Sequence, residues 1–519
     1  MNVELAFSRP QKSAEGLGDL ATDRHRFLEK RVLLTGEPEI LNMENGRAAL
    51  LYALRLLVRI CPNLTVTLPE SCESLLSEAH GLALAVAFGK AVEFSGETDL
   101  PSGFDAILSV GSAVYPALPF TVINSNGWVA RVSSGQIVLP KECSQDNPIA
   151  ALAAACLGVG EVFKRLIGLK PARGVLLDGL SFSLRTYELD PANVGPPLPE
   201  RLDSDLLVVG AGAIGNGIVA LLSALPFVSQ ILVVDREKYG PENLGTCMLV
   251  DPTDIGQAKA KVMEEWLKAA GKNAVGMESS FADYADTLSN YPKLVLNGLD
   301  NIDVRHEVQR MLWPDLIVDG AIGDFTCQVS RHLWTDENAA CLLCLFRKPC
   351  RSAEAVAFGA TGLATSRLGI IDAVVTVEDV TAAPKEKQEY LRANLGRPIC
   401  SVVSEAVTAK ISQEEQARGF EPSVPFVAAF SACMVVAEAV AFLARWPSLM
   451  ETRYQFDFLA GPAYGLQFPE GRRADCLCQR RKNIAKLRAA HGLYQVGATV
   501  MVRTDSSLLA GMTYPRIGL

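Results

Sequence analysis

Apolar positions along the chain fall into short runs separated by glycine-rich breaks, and the alternation is sharpest at 205–235, DLLVVGAGAIGNGIVALLSALPFVSQILVVD. The run 206–209 is too short for a helix and predicts a buried parallel strand. After a glycine break, 216–224 predicts a helix, and 231–234 predicts a second strand closed by Asp235. The same order of strand, helix and strand occurs earlier, at 31–34, 47–59 and 64–68. The echo continues downstream. DAILSVGSA at 105–113 resembles KLVLNGLDN at 293–301, and TVINSNGWVARVS at 121–133 parallels LIVDGAIGDFTCQVS at 316–330. ACLGVGEVF at 155–163 and ACMVVAEAV at 432–440 share their Ala-Cys and Glu positions at one constant offset. The pattern predicts an α/β chain that holds the same unit twice.

Between the copies, PANVGPPLPE suits a linker and places a boundary near Pro199. After Ser330 the second copy is interrupted until its repeat helix resumes at Phe426, and the charged stretch 374–392 inside the interruption predicts helix. The expected organisation is a first domain at 1–199, a second at 200–340 that resumes at 426–480, an insertion at 341–425, and a tail at 481–519 opening with a basic helix, RRKNIAKLRAA. Residues 426–444 are apolar enough to test as a membrane span. Their alanine content and Glu438 near the centre predict a buried core helix instead.

The 519 residues, 49% of them hydrophobic, are enough for large cores, and a net charge of −9 argues against a nucleic-acid partner. The polar opening segment lacks the apolar core of a secretory signal. Thirteen cysteines, an odd number, then point to reduced thiols, metal ligands or catalysis in the cytoplasm rather than to disulfides.

Gly210, Gly212 and Gly215 form G-x-G-x-x-G between the strand and the helix, where backbone N–H groups meet a phosphate at the positive helix end. Asp235 closes the next strand, where an acid accepts from ribose hydroxyls. These residues alone leave NAD and ATP both open. The first copy has no such glycine motif, its second strand ends at Pro69 in place of Asp235, and Ser112 and Ala113 stand where the second copy has Asp300 and Asn301. The first copy therefore reads as a degenerate partner and the second as the working site.

Further motifs follow in order: Asn243-Leu244, then Asp254-Ile255-Gly256 with Lys259, then Asp300-Asn301 with Arg305. With the glycine loop and Asp235 they resemble the D-x₇-N-L, D-I-G-x-x-K-A and D-N-x-x-x-R elements of the superfamily of ThiF, MoeB and the ubiquitin-activating enzymes, over most of 205–480. The resemblance implies two Rossmann-like adenylation units in one chain, an inactive and an active one forming a pseudo-dimer, with a catalytic-cysteine insertion. It implies that Asp235 and Asn243 hold the ribose and nearby phosphate of ATP, that Lys259 binds phosphate, and that Asp300 holds Mg²⁺ beside Asn301. The family's arginine two residues beyond Asn-Leu is Thr246 here. Relatives also borrow an arginine from the amino-terminal end of the partner half, for which Arg24, Arg26 and Arg31 are candidates.

Cys341-x-x-Cys344 and Cys476-x-Cys478 suit tetrahedral Zn²⁺, although relatives have C-x-x-C as the second pair. Pro398-Ile399-Cys400-Ser401 resembles the P-x-C-T segment that carries the thioester cysteine of ubiquitin-activating enzymes, with Cys350 and Cys327 as weaker candidates. The resemblance thus implies adenylation of the C-terminal carboxylate of a ubiquitin-like protein, its capture on Cys400 and its transfer to a conjugating enzyme. It is similar above all to bacterial enzymes of ubiquitin-like conjugation operons, which implies antiviral defence in the cytoplasm. The alternatives are a sulfur-carrier or peptide adenylyltransferase without a stable thioester, and a nucleotide-binding scaffold that has lost catalysis.

Overall fold

A computed structural model describes residues 3–14, 17–18, 28–88, 90–95, 103–299, 301–347, 353–368, 370, 373–406 and 424–493. The first sheet contains β1 (Arg31–Gly36), β2 (Asn63–Thr67), β3 (Glu93–Ser95), β4 (Ala106–Val110), β5 (Phe120–Asn126), β6 (Val129–Ser133) and β7 (Leu180–Ser183). Its order is β3-β2-β1-β4-β5-β6-β7, parallel through β5 and antiparallel beyond.

The second sheet contains β8 (Leu206–Val209), β9 (Ile231–Asp235), β10 (Ala274–Glu278), β11 (Leu294–Asn297), β12 (Leu316–Gly323), β13 (Thr326–Leu333), β14 (Arg453–Asp457) and β15 (Leu466–Phe468). Its order, β10-β9-β8-β11-β12-β13-β14-β15, repeats the first with one added edge strand. Two Rossmann-like units thus lie in one chain, and residues 190–201, which carry no helix or strand, run between them.

The duplication extends to single side chains. The repeat helices are Pro148–Leu166 and Pro425–Leu443, and they pack against each other, with Phe163 and Phe426 ring centroids 5.6 Å apart. Each carries the buried glutamate that the sequence repeat marked. Glu161 pairs with Lys164 at 2.6 Å and accepts the Leu177 N–H; Glu438 accepts from the Tyr187 hydroxyl at 3.0 Å and pairs with Arg331 at 3.3 Å. A buried carboxylate is tolerated where it is paired in this way. Among the described residues, Pro425–Leu443 is the helix long and apolar enough to cross a membrane by length, and 89% of its apolar window is buried in the protein.

β8 alternates across its sheet. Leu206 and Val208 enter the core shared by both units, whereas Leu207 and Val209 enter a second core with Val295, Ile317 and the four cysteines. Both faces are covered, as a parallel sheet requires. The helix Arg481–Ala490, expected within a tail, belongs to this second core through Ile484, and Arg488 donates to the Pro314 carbonyl and pairs with Asp315. The rest of that tail, 494–519, lies outside the described residues. The stretch 374–392 forms the helices Val377–Ala382 and Lys385–Arg392, which share a small core of their own with Leu363, Ile399 and Val402.

Candidate functional site

The glycine loop joins β8 to the helix Ala213–Ala224, whose N-cap is Gly212. Gly210 has φ +90°, which L side chains rarely adopt, and a Cβ on Gly215 would meet the Gly210 carbonyl oxygen at 2.1 Å. A Cβ on Gly212, by contrast, meets nothing within 4 Å. Gly215→Ala is therefore expected to shift the loop and lower ATP affinity at least about tenfold, whereas Gly212→Ala is accommodated in the free protein. Any loss of affinity in Gly212→Ala, read by ATP titration beside an unchanged melting curve, reports phosphate seated on the loop.

Asp235 closes the loop from the next strand. One carboxylate oxygen accepts the Ala211 N–H at 2.7 Å and the other accepts the Glu237 N–H at 2.8 Å. Burial pushes its pKa up against the opposing effect of those N–H groups and of Lys259. The Lys259 ammonium lies 2.6 Å from Glu237, with only 9% of its side chain exposed. Burial disfavours its charge, yet the Glu237 hydrogen bond and the Asp235 carboxylate leave its pKa raised. A cation held on an exposed carboxylate is one that an incoming anion can take over.

Two residues that sequence reasoning missed brace this loop. Asn216 is fully buried and donates to the Ala211 and Gly212 carbonyls, each at 3.0 Å, and to the Tyr239 hydroxyl at 2.9 Å. Tyr239 in turn donates to the Ala211 carbonyl at 2.7 Å. The polar residue directly after Gly215 inside an apolar helix was the available signal.

Asn243 is buried and accepts the Gly240 N–H, holding the turn Pro241–Gly245; Thr246 beyond it is buried too. The helix Val3–Ala14 packs on that turn, and the charge of its Arg9 reaches Glu237 and Cys247. Arg9 is thus an amino-terminal arginine whose charge acts on the Lys259–Glu237 pair. Arg31 begins β1 and stacks on Phe104 at 4.7 Å within the first unit, and Arg24 and Arg26 lie outside the described residues. Asp300 also lies outside them. Asn301 caps the helix Ile302–Met311, and Arg305 is buried against Asp319 at 3.0 Å.

The first copy fills its own equivalent place. Glu37 follows β1 and accepts from the Ser112 and Ala113 N–H groups, each at 2.7 Å, and from the Ser112 hydroxyl. Burial works against its charge, but these bonds and Lys141 leave its pKa lowered. A resident carboxylate stands there on the backbone donors.

Cys341, Cys344, Cys476 and Cys478 are all buried, and their sulfurs lie within 4.8 Å of one another. The pairs Cys341–Cys476 and Cys344–Cys478 are each 3.6 Å apart and Cys341–Cys344 is 3.7 Å apart. Zinc with bonds of about 2.3 Å at the centre of a tetrahedron requires sulfurs about 3.8 Å apart, so the cluster fits that ion. The Arg473 N–H donates to Cys344 at 3.4 Å, and His332 steadies the Ala340 carbonyl just before Cys341.

Cys400 is exposed in the first turn of a helix described over 399–406, beside Arg397, which pairs with Glu405 at 2.6 Å. Cys327 is fully buried, with its thiol on the Phe456 carbonyl, which removes it from solvent, and Cys350 lies outside the described residues.

Two units of one topology, one with a nucleotide-type loop and the other with that place filled, define a duplicated α/β protein with a single such loop among the described residues. The chain belongs to the ThiF family, which matches residues 188–479, and the BilD N-terminal domain matches residues 31–176. That membership supports adenylation-type activation of a substrate. The protein y4jF of Sinorhizobium fredii is 25% identical over 515 residues, 93% of this chain and 96% of its own. The bacterial E1-like protein BilD of Collimonas sp. is 28% identical over 204 residues, 38% of this chain and 43% of its own. The NEDD8-activating enzyme E1 catalytic subunit of Saccharomyces cerevisiae is 28% identical over 118 residues, 21% of this chain and 38% of its own. The chain thus spans under half the length of the last two relatives.

Proposed function

We propose that the chain uses ATP and Mg²⁺ to adenylate the C-terminal carboxylate of a ubiquitin-like protein, captures the acyl group on Cys400 and passes it to a cysteine of a conjugating enzyme. The observation that carries the adenylation step is Asp235 held on the glycine loop by the Ala211 N–H at 2.7 Å, with Lys259 within reach of its charge and paired to Glu237 at 2.6 Å. The carboxylate oxygen attacks the α-phosphorus and pyrophosphate leaves, so negative charge grows on phosphate oxygens. Lys259 would meet that charge, the loop N–H groups would orient the phosphates, and Asp235 and Asn243 would position the ribose. Asp300 and Asn301 would hold Mg²⁺, which supplies further charge neutralisation when bound.

The Cys400 thiol gives its proton to solvent, the thiolate attacks the acyl carbon, and AMP leaves with the bridging oxygen, forming the thioester. Exposure of Cys400 on an insertion with its own small core supports this assignment, since the thiol must meet both an adenylate and a partner's cysteine. Domain limits near Pro199 and at 341–425, the first unit as the inactive half, and action in the cytoplasm in antiviral defence belong to the same reading. The names of BilD and of the NEDD8-activating subunit favour a ubiquitin-like substrate over a sulfur carrier.

Cys400→Ala is expected to keep substrate-dependent ATP–pyrophosphate exchange within about twofold and to lose the thiol-sensitive adduct on denaturing gels. An adduct of unchanged yield would remove Cys400 from the mechanism. Exchange in the unsubstituted chain without any adduct would favour the peptide-adenylating alternative.

A further inference from the structure

Arg59 lies just past the first-unit helix Glu44–Leu57, yet its guanidinium serves the second unit. It is fully buried, donating to the Cys247 carbonyl at 2.9 Å and the Val250 carbonyl at 2.7 Å, and within its own unit to the Arg55 carbonyl at 2.6 Å. Burial pushes its pKa down to about 9. Holding a guanidinium there on carbonyls alone is costly, and three well-aligned acceptors offset that cost only while the 247–250 segment stays in place.

That segment follows Asn243 and leads back to the loop. The Leu249 N–H donates to the side-chain oxygen of Asn216 at 3.1 Å, and the Asn216 amide nitrogen donates to the Ala211 and Gly212 carbonyls. Arg55, one turn before Arg59, stacks on Trp266 at 4.8 Å, on the helix Lys259–Ala269 that begins with Lys259. A path of hydrogen bonds joined by the 247–250 backbone therefore runs from the first unit to the carbonyls of the glycine loop, and a stacking contact reaches the helix that presents Lys259.

We propose that Arg59 is a positioning residue by which the first unit fixes the glycine loop of the second, through Leu249 and Asn216. The inference rests on reading that loop as an ATP site. It gives the first unit a role beyond packing: the unit that lacks the glycine loop holds the shape of its neighbour's loop.

The test compares Arg59→Met, Arg59→Lys, Asn216→Ala and the Arg59→Met/Asn216→Ala pair in the full chain. Amide exchange of residues 210–216 is followed by mass spectrometry, and ATP binding by calorimetry without a protein partner. Arg59→Met is expected to speed exchange at 210–216 at least about tenfold and weaken ATP binding roughly tenfold, the scale of one charge-assisted hydrogen bond. Exchange at 341–344 should stay unchanged, which shows that the chain is folded. Arg59→Lys, lacking the planar fork, should fall between. The double variant should bind ATP no more than about twofold more weakly than Asn216→Ala, because both substitutions cut one path.

Unaltered exchange at 210–216 in Arg59→Met, or losses that multiply in the double variant, would overturn the proposal. Faster loop exchange in Arg59→Met beside a parent chain that does not bind ATP would uphold the path and sink the ATP reading alone.

Discussion

Lys259→Met is expected to lower ATP–pyrophosphate exchange by about 10² to 10³-fold at saturating ATP, the usual cost of removing one preorganised group that meets charge in the transition state. Methionine keeps the length and apolar stem of the buried lysine, so the helix Lys259–Ala269 and the fold should survive. The ammonium is not made idle by its ion pair. Glu237 is 59% exposed on its side chain, and an exposed carboxylate holds a lysine weakly enough for a phosphate to compete. Losing the lysine also leaves Asp235 and Glu237 with less opposing charge, which repels the incoming anion. The loss should therefore fall on turnover and ATP affinity together. A variant with normal melting and exchange within about threefold of the parent would show that Lys259 is an ordinary paired lysine.

The second large effect concerns stability. Cys341→Ser is expected to release bound zinc, read as metal per chain, and to destabilise the protein by at least about 3 kcal/mol, since a structural zinc site contributes folding free energy directly. The reason lies in the second core, where the four cysteines pack with Leu342, Trp313, Trp334 and Ile484 under the sheet that carries the glycine loop. Serine leaves three buried thiols and a buried hydroxyl with no metal to bind. Cys143→Ser, a half-buried thiol in the first unit, is the comparison and should change melting little. Equal melting of the two variants, with no zinc in the parent, would make the cluster four packed thiols.

The duplication was legible because it rests on local sequence. Ala-Cys and Glu recur at one offset in the two repeat helices, and the structure gives Glu161 and Glu438 the same buried, paired state. The glycine loop and the strands beside it were legible for the same reason: short apolar runs and a motif a few residues long encode them. What escaped was fixed by contacts distant in sequence. Arg59 meets carbonyls 188 and 191 residues away, and nothing around it distinguishes it from a surface arginine. Arg9 escaped because the helix at the start of the chain meets the turn Pro241–Gly245 only through packing distant in sequence. Glu37 taking the Ser112 and Ala113 N–H groups was likewise invisible, because a glutamate after a strand reads as a solvated loop.

The most direct measurement uses the unsubstituted chain, ATP, Mg²⁺ and radiolabelled pyrophosphate. Each small protein encoded beside it that ends in glycine is supplied in two forms, with a free C-terminal carboxylate and as the C-terminal amide. The account expects label to enter ATP with the free carboxylate of one such protein and not with its amide. ATP that binds but takes up no label with any of them, or label that enters equally with the amide, would contradict it.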